Sequence, residues 1–476
     1  MNNNIFKNSG IRGIIPTKVT LWHRIKHSFS KDTSGFLNDV QNVHFLSIAI
    51  SHYLHRVYNM QCNVLIATDT RTSSKWILNT FKKNLAIHHK HQIFNMGIVP
   101  TPFVAKAVGS ASTTDNNECT PFFQLGIMIT ASHNPPEYNG IKVFTPNGPL
   151  TEQEELDISR FFYETVTYYK NHIPTISDVI DWYWYILFYT TKSLDYLKNY
   201  INDMQQTITH KQFEPFKVIL DCANGATYQI AEQIFKQYGI NTVAINNTPT
   251  GNNINEQSGC SNPQLLIDAV NQHNANWGCA FDGDGDRVII VDDKGSVFDG
   301  DDIIMVLAQH PRYKDQKTVV GTIMTNQVTQ KHFEQQDKQF IRTDVGERNI
   351  IEKLLEHNAL LGSEACGHIT VLDHAPCSDG IFAALMFFDT IYTQNIDLHS
   401  YKKNIQIHAT LSLKNTTITD ESINQIKNKY ATHINPGRIV IRKSNTEPVL
   451  RIMTEHKEIN EAQQILDNIK NEFTNL

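Results

Sequence analysis

One alternation restricts this chain more than anything else in it: a short apolar run, a turn, then a stretch of helical periodicity, met repeatedly. NVLIAT (63–68) precedes DTRTSSKWILNTFKKNLAIH, and FKVILD (216–221) precedes CANGATYQIAEQIFKQYG, which leads into INTVAI. TVVGTIM (318–324) stands before GERNIIEKLLEHN, and WGCAFDGDGDRVIIVDD reads as strand, loop, strand. Short apolar runs bounded by turn formers are buried strands. Strands alternating with helices fold as α/β layers with largely parallel or mixed sheets. The blocks look like versions of one unit, with no fixed short period that would mark a solenoid. At 476 residues the chain exceeds one ordinary core, and the length suggests about three or four domains. The end differs: NIQIHATLSL, RIVIRKS and PVLRIMTE read as strands, and Ala462, Ile465, Leu466, Ile469 and Phe473 share one helical face. The expectation is three similar α/β domains with mixed sheets over 1–152, 153–258 and 259–397, and a smaller C-terminal α+β domain over 398–476.

Charge and cysteine usage exclude several function classes. A net charge of −6 gives no electrostatic case for nucleic acid, so any anionic substrate must be held by a few placed cations. The 7 cysteines, at 62, 119, 222, 260, 279, 366 and 377, contain no CxxC pair. That argues against a disulfide framework and for a reducing, cytoplasmic setting. MNNNIFKNSG lacks the features of a signal peptide. VIDWYWYILFYTT (179–191) is too short to span a bilayer, which needs roughly 20 residues; no membrane partner is expected. LWHRIKHSFSKDTSGFLNDV (21–40) reads as an inserted loop without assigned chemistry.

The chemistry sits in a few loops. GIMIT (126–130) is a short buried strand, and Pro135 and Pro136 turn the chain out just past it. Ser132 therefore stands beyond a strand's C-terminal end, where open α/β sheets place ligands. DGDGDR (282–287) spaces three carboxylates at alternate positions, with glycines that let the chain curve so that they converge. Oxygen ligands of this kind suit a hard cation, Mg²⁺ or Ca²⁺. An EF-hand also begins this way, but Arg287 occupies the required glycine position, Asp293 replaces the closing glutamate, and strands flank the loop. Uncompensated, such close carboxylates repel one another. RKSNTEPVLR (442–451) places Arg442, Ser444, Asn445, Thr446 and Arg451 around a turn, the donor set an oxyanion such as phosphate requires. LLGSEACGH (360–368) offers Glu364, which can accept from sugar hydroxyls, and His368, which can shuttle a proton. NSGIRG (8–13) sets Arg12 between glycines, and TDTRTSS (68–74) forms a strand-end cluster. Together these parts suffice for phosphoryl transfer: a serine to carry the group, a cation to neutralise it, Lys142 to assist proton transfer, and a distant loop for a second phosphate.

In order, from about residue 6 to residue 451, these motifs resemble those of the α-D-phosphohexomutase superfamily. TASHNP is similar to that family's phosphoserine loop, DGDGDR to its Mg²⁺ loop, GSEACGH to its sugar-recognition loop and RKSNTEP to its phosphate-binding loop. The resemblance implies four domains around a central cleft, one Mg²⁺ held by Asp282, Asp284, Asp286 and phosphorylated Ser132, and a hexose bisphosphate as intermediate and activator. It implies a catalytic set of Ser132, Lys142, His368, Arg12 and Arg287. Glu364, Cys366, Arg442, Ser444, Asn445, Thr446 and Arg451 would bind a small-molecule hexose phosphate. A monomer or homodimer is expected.

Subgroup features resemble the phosphoglucosamine mutase branch: TGNNINEQSGCSNPQLL (250–266), AFDGDGDRVIIVDDKGSVFDGDDI, VGERNIIEK and GRIVIRKS. Three departures accompany them. Asn445 stands where that branch usually has glycine, Lys7-Asn8-Ser9 precede Gly10 in an altered N-terminal loop, and Cys366 replaces the sugar-loop serine. A thiol is a weaker hydrogen-bond partner than a hydroxyl. The leading expectation is interconversion of glucosamine 6-phosphate and glucosamine 1-phosphate, with phosphomannomutase/phosphoglucomutase activity as the runner-up. A phosphosugar phosphatase and a non-catalytic sugar-phosphate binder are the further alternatives. Against these stand the phosphate clamp offered by Arg442 to Thr446 and the retention of Ser132, Lys142, the three aspartates and His368.

Overall fold

The computed structural model describes residues 4–6, 10–15, 36–37, 40–109, 111–113, 119–171, 192–193, 197–210, 212–213, 216–394, 396–413, 418–434, 436–444 and 449–474. The aromatic run 179–191, most of segment 21–40, Lys7-Asn8-Ser9, Asn445 and Thr446 lie outside them.

A single four-strand unit is built three times. In each, the first strand is central, the second pairs parallel on one side and the third parallel on the other. The fourth runs antiparallel beyond the third. The quartets are Asn63–Thr68, Gln92–Ile98, Leu125–Ile129 and Tyr138–Thr145; Lys217–Asp221, Asn241–Ile245, Trp277–Phe281 and Val288–Asp292; and Thr318–Thr322, Gln339–Thr343, Leu361–Ser363 and Ile369–Val371. Burial on both faces explains why the central strands read as unbroken apolar runs. The first sheet gains the strand Ile11–Ile14, which pairs antiparallel with Tyr138–Thr145 and sets Arg12 opposite Gly140.

The turn between third and fourth strands matters most. In the first unit it carries Ser132, in the second Asp282 to Arg287, in the third Glu364 to His368. One connection, used three times at the C-terminal ends of parallel strands, delivers three of the four motifs.

Sheet membership corrects two expected divisions. The hairpin Trp277–Asp292 completes the sheet begun by Lys217–Asp221, and Val297–Phe298 extends it, so a division at 258 would cut through one sheet. The helix Glu152–Asn171 packs on Val40–Tyr58, and Ser159 Oγ accepts from the Ile5 amide at 3.1 Å, so the first unit runs past 152.

The second and third units share one large core. The helix Gly380–Thr393 lies in it, apolar on nearly every side and buried from Gly380 through Thr390. Asp379 caps that helix by accepting from the Phe382 amide at 3.0 Å. The C-terminal unit is smaller: the strands Ile405–Ser412, Val449–His456 and Arg438–Lys443 form an antiparallel sheet covered by Asp420–Ala431 and Ile459–Thr474. Its last helix buries Ala462, Ile465, Leu466, Ile469 and Phe473, the face read from the sequence. Glu455 ties this unit to the third by accepting from the Gln327 amide at 2.7 Å, and within its own unit it accepts from Asn404 at 3.1 Å, Gln406 at 2.9 Å and Arg438 at 2.8 Å. Among the described residues, no helix is long and apolar enough to cross a membrane.

Candidate active site

Ser132 is fully buried and held with φ of 52°, a left-handed conformation that non-glycine residues adopt at a cost. Its surroundings fix that conformation. Its amide donates to Thr130 Oγ1 at 2.9 Å, and its carbonyl accepts from Arg71 Nη2 at 3.0 Å and Asn255 Nδ2 at 2.8 Å. Arg71, buried and paired with Asp69 at 2.8 Å, also donates to the Asn134 and Tyr138 carbonyls. The TDTRTSS cluster is therefore a brace for the serine loop, and so is the GNNIN segment through Asn255. Neither role shows in the sequence, because each depends on a partner far along the chain.

The serine loop meets the aspartate loop directly. Ser132 Oγ donates to Asp282 Oδ2 at 2.7 Å. The approach needs glycine at 283, where a Cβ would stand 2.5 Å from the Ser132 carbonyl oxygen. Oxygens of Asp282, Asp284 and Asp286 all lie within 4.8 Å of one another, and all three side chains are buried. Lys142 Nζ bridges Asp284 at 2.7 Å and Asp286 at 2.5 Å, and Thr101 Oγ1 donates to Asp284 Oδ2 at 2.5 Å. Asp284 Oδ1 has no partner though it is buried. An orphaned carboxylate oxygen among converging carboxylates is the donor chemistry of a hard divalent cation, and the residues fit one.

Electrostatics separates the carboxylates. Burial, reinforced by Asp286 and Asp284, pushes Asp282 above its ordinary range. Burial opposes ionisation of Asp286 too, but Lys142 and His368 outweigh it and hold that carboxyl well below its usual value. Burial works against the charge on Lys142, yet Asp284 and Asp286 raise its pKa, so the ammonium keeps its proton.

The third turn closes on the second. Arg287 and His368 form a lone antiparallel bridge, and the Val288 amide donates to Gly367 O at 3.0 Å. Gly367, with φ of 99°, lies so near that a Cβ would stand 2.6 Å from the Val288 oxygen. His368 Nδ1 is 2.7 Å from Glu364 Oε2, and its Nε2 is 3.2 Å from Asp286 Oδ1 and 3.0 Å from Arg287 Nε. One ring nitrogen cannot both accept from the guanidinium and donate to the carboxylate. Burial and Arg287 oppose a charge on His368, but Asp286 leads the groups that favour it and the net shift is well upward. The imidazolium, donating to Asp286 and Glu364, is the form these carboxylates select. His133 is the opposite case: burial with Arg287 and Arg12 nearby drives it down to about 2, so it stays neutral. Arg12 Nη1 donates to Asn134 Oδ1 at 3.1 Å, and burial with Arg287 lowers its pKa.

Cys366 is exposed, with Sγ 3.7 Å from His368 Nδ1. Burial of the surrounding pocket would raise its thiol, but Arg287 and His368 hold it below the ordinary value. From the C-terminal unit, Arg442 feels the charges of Asp344 and Glu364, which sets it beside the third turn. It pairs in register with Arg451, and the two help line a cavity of about 250 Å³ with His408 and Thr410. Burial and Arg451 lower the Arg442 pKa, and its Nε has no partner. Two guanidinium groups lining one space are the donor set an oxyanion requires. Ser444 follows the strand on the same loop, its amide donating to Val449 O at 2.8 Å.

Sequence reading missed Glu347. It is buried, it accepts from the Ser378 amide, and its charge acts on His368, Asp286 and Lys142. Its place at the start of the helix Glu347–Glu356 was visible, but its nearness to the other units was not.

Models of phosphoglucomutase/phosphomannomutase alpha/beta/alpha domains I, II and III match residues 3–168, 195–295 and 299–406, and a model of the C-terminal domain matches 416–472. The phosphoglucosamine mutase of Desulforamulus reducens is 30% identical over 482 residues, covering 98% of both chains. That of Hahella chejuensis is 33% identical over 417 residues, 85% of this chain and 88% of its own. A phosphoglucomutase/phosphomannomutase family protein from Burkholderia thailandensis superposes with a TM-score of 0.75 at 20% identity, covering 98% of this chain and 96% of its own. The N-acetylphosphoglucosamine mutase of Aspergillus fumigatus, solved with GlcNAc-6P and magnesium, does so with a TM-score of 0.56 at 15% identity, covering 78% and 92%. With the repeated unit, the carboxylate triad against a buried serine and these matches in hand, the chain belongs to the α-D-phosphohexomutase superfamily, is closely related to phosphoglucosamine mutase, and works as an enzyme.

Proposed function

We propose that the chain interconverts glucosamine 6-phosphate and glucosamine 1-phosphate, with Ser132 carrying the transferable phosphoryl group. The observation that supports this most directly is the Ser132 hydroxyl 2.7 Å from Asp282, within a carboxylate triad whose Asp284 has a buried, unpartnered oxygen. Asp282, Asp284 and Asp286 would hold Mg²⁺ together with an oxygen of the Ser132 phosphoryl group. When bound, the ion supplies charge neutralisation and polarises phosphorus for attack.

In the first transfer, the bond from Ser132 Oγ to phosphorus breaks as a sugar hydroxyl oxygen bonds to phosphorus. In net terms the proton lost by the sugar hydroxyl is the one Ser132 Oγ gains, so the transfer consumes no outside acid or base. The resulting bisphosphorylated sugar reorients, and its other phosphoryl group returns to Ser132 by the reverse step. Lys142 keeps its proton and therefore acts as an acid and charge clamp, not as a base. His368 as imidazolium, its two N–H groups directed at Asp286 and Glu364, sets a fixed positive charge at the sugar end. Arg12 and Arg287 add fixed positive charge around the phosphoryl group. Glu364 and Cys366 face the sugar hydroxyls, and Arg442, Ser444 and Arg451, with Asn445 and Thr446, hold the second phosphate. A cytoplasmic setting fits the scattered cysteines.

Substrate choice rests on the whole-length identity to phosphoglucosamine mutases. A phosphoglucomutase/phosphomannomutase reading is favoured by Asn445, which stands where the phosphoglucosamine mutase branch usually has glycine, and Cys366 would loosen discrimination at a neighbouring hydroxyl. Side-by-side kcat/KM values for the 1-phosphates of glucosamine, glucose and mannose, each with its bisphosphate, separate the two. Preference for glucosamine 1-phosphate is expected, and a clear preference for glucose or mannose overturns it.

A further inference from the structure

Histidines gather in the helix layer of the first unit, away from the three turns that build the cleft. The helix Val40–Tyr58 carries His52 and His55 one turn apart, and the turn after the helix Ser74–Ile87 carries His88 and His89. His52 Nδ1 is 2.9 Å from His89 Nε2. The His55 ring lies over His89 with centroids 4.0 Å apart and planes 9° apart, and His88 stands 5.8 Å from His52.

The turn is held so as to present these rings. His89 and Lys90 both take left-handed backbone, with φ of 71° and 56°, at a cost of roughly 1–2 kcal/mol per residue. His91 pins the turn, with Nδ1 accepting from the Cys62 amide at 3.1 Å and Nε2 3.3 Å from Ser51 O. Ser51 Oγ also donates to the His88 carbonyl. Strain maintained by surrounding structure marks a placement worth explaining.

We infer that His52 and His89, joined by His55, form a binding site for a borderline divalent transition metal ion such as Zn²⁺ or Ni²⁺, separate from the hard-cation site at Asp282, Asp284 and Asp286. Imidazole nitrogens suit these ions, whereas Mg²⁺ prefers oxygen. With metal–nitrogen bonds of about 2.0–2.1 Å, two ligand nitrogens on one ion lie roughly 3 Å apart; His52 and His89 have that separation, with their nitrogens facing each other, so both rings must turn to aim at a common ion. His55 is exposed and one helical turn from His52, with its ring stacked flat on His89, so it offers a third nitrogen only when its side chain turns off that face. Burial, then the neighbouring rings of His55, His52, His91 and His88, push His89 down to about 4. Burial and His55 also lower His52, so the ligand nitrogens are not protonated near neutral pH. Glu164, from the adjacent helix Glu152–Asn171, sets a negative charge near His52. The ion would clip the turn to the helix, so binding stabilises the first unit without entering the cleft.

The competing account is a plain N–H···N hydrogen bond between two neutral rings. Titrating ZnCl₂ calorimetrically into the full chain at neutral pH, with saturating Mg²⁺, separates the two. The expected result is one Zn²⁺ per chain and a rise in Tm, both absent from the His52→Gln/His89→Gln double variant while its turnover with Mg²⁺ stays at wild-type level. Asp282→Asn should keep this Zn²⁺. A second probe needs no variant: Co²⁺ added under the same conditions should give visible absorption bands of a nitrogen-ligated ion. Equal Zn²⁺ uptake by wild type and double variant, or no Co²⁺ bands in wild type, overturns the proposal in favour of the hydrogen bond.

Discussion

The Ser132 hydroxyl donates to Asp282 Oδ2 at 2.7 Å across 150 residues of chain, joining the same turn of two successive units. A serine placed there is next to three converging carboxylates and the Lys142 ammonium. Ser132→Ala should therefore abolish turnover and remove the phosphate acquired on incubation with a hexose bisphosphate. Intact-protein mass spectrometry reads the second effect, and undiminished activity in the variant would sink the role given to Ser132.

Lys142 is the counter-charge for Asp284 and Asp286. Lys142→Met leaves buried carboxylates uncompensated, a change that costs about 3–5 kcal/mol where a buried pair is broken. Mg²⁺ should then raise the Tm of the variant more than that of wild type, because the ion replaces the lost charge. Equal Mg²⁺ shifts in both proteins would show that the ion does not share these carboxylates with Lys142.

A pH dependence follows from the junction of the third and C-terminal units. Asp301 is buried, Oδ2 accepts from the Asn326 amide at 2.7 Å, and Oδ1 has no partner. Burial, then Asp299, raises its pKa above the ordinary carboxylate value. The native state thus holds a proton that the unfolded chain releases near pH 4. Its contribution is present in full below about pH 4 and declines as pH rises from there through the folded-state pKa. Asp301→Asn should flatten that decline, so its Tm advantage over wild type grows from pH 5 to pH 8. A constant difference across the range would refute the assignment.

Much of this site was legible because each motif is contiguous. Ser132, Asp282 to Asp286 and Glu364 to His368 each occupy one hairpin turn, so local spacing carries them. The phosphate loop was legible as a strand followed by Arg442 and Ser444, although Asn445 and Thr446 lie outside the described residues. What escaped is long-range. Arg71 and Asn255 brace the Ser132 carbonyl from separate units, and Glu347 reaches the charge cluster through the fold. The division expected at 258 failed for a related reason. Trp277–Asp292 reads as the opening of a new block, whereas pairing with Lys217–Asp221 makes it the close of an old one. Strand partners are not written in local periodicity.

Arg442 presents a half-buried guanidinium with an unpartnered Nε beside Arg451. Arg442→Lys keeps the charge and loses the fork. The loss of one charge-assisted hydrogen bond, about 1.5–3 kcal/mol, should raise KM roughly tenfold or more while kcat falls less. An unchanged KM would move the second phosphate elsewhere.

Cys366 offers a test that separates its chemistry from its position. The thiol is exposed, 3.7 Å from His368, and is held below its ordinary pKa by Arg287 and His368 against the effect of burial. A thiolate-rich, accessible sulfur reacts first with alkylating agents. Of the other described cysteines, Cys62, Cys222, Cys279 and Cys377 are buried and Cys260 is half-buried, and burial raises each of their thiols. Iodoacetamide should therefore inactivate the enzyme with one early adduct, and saturating hexose phosphate should slow the loss by covering the third turn. Cys366→Ser should resist inactivation. It should also sharpen preference among sugar phosphates, because a hydroxyl pairs with a sugar oxygen better than a thiol does. The readouts are residual activity against time and adduct mapping by peptide mass spectrometry. Inactivation of Cys366→Ser at the wild-type rate would place the sensitive sulfur elsewhere and remove Cys366 from the sugar-facing wall.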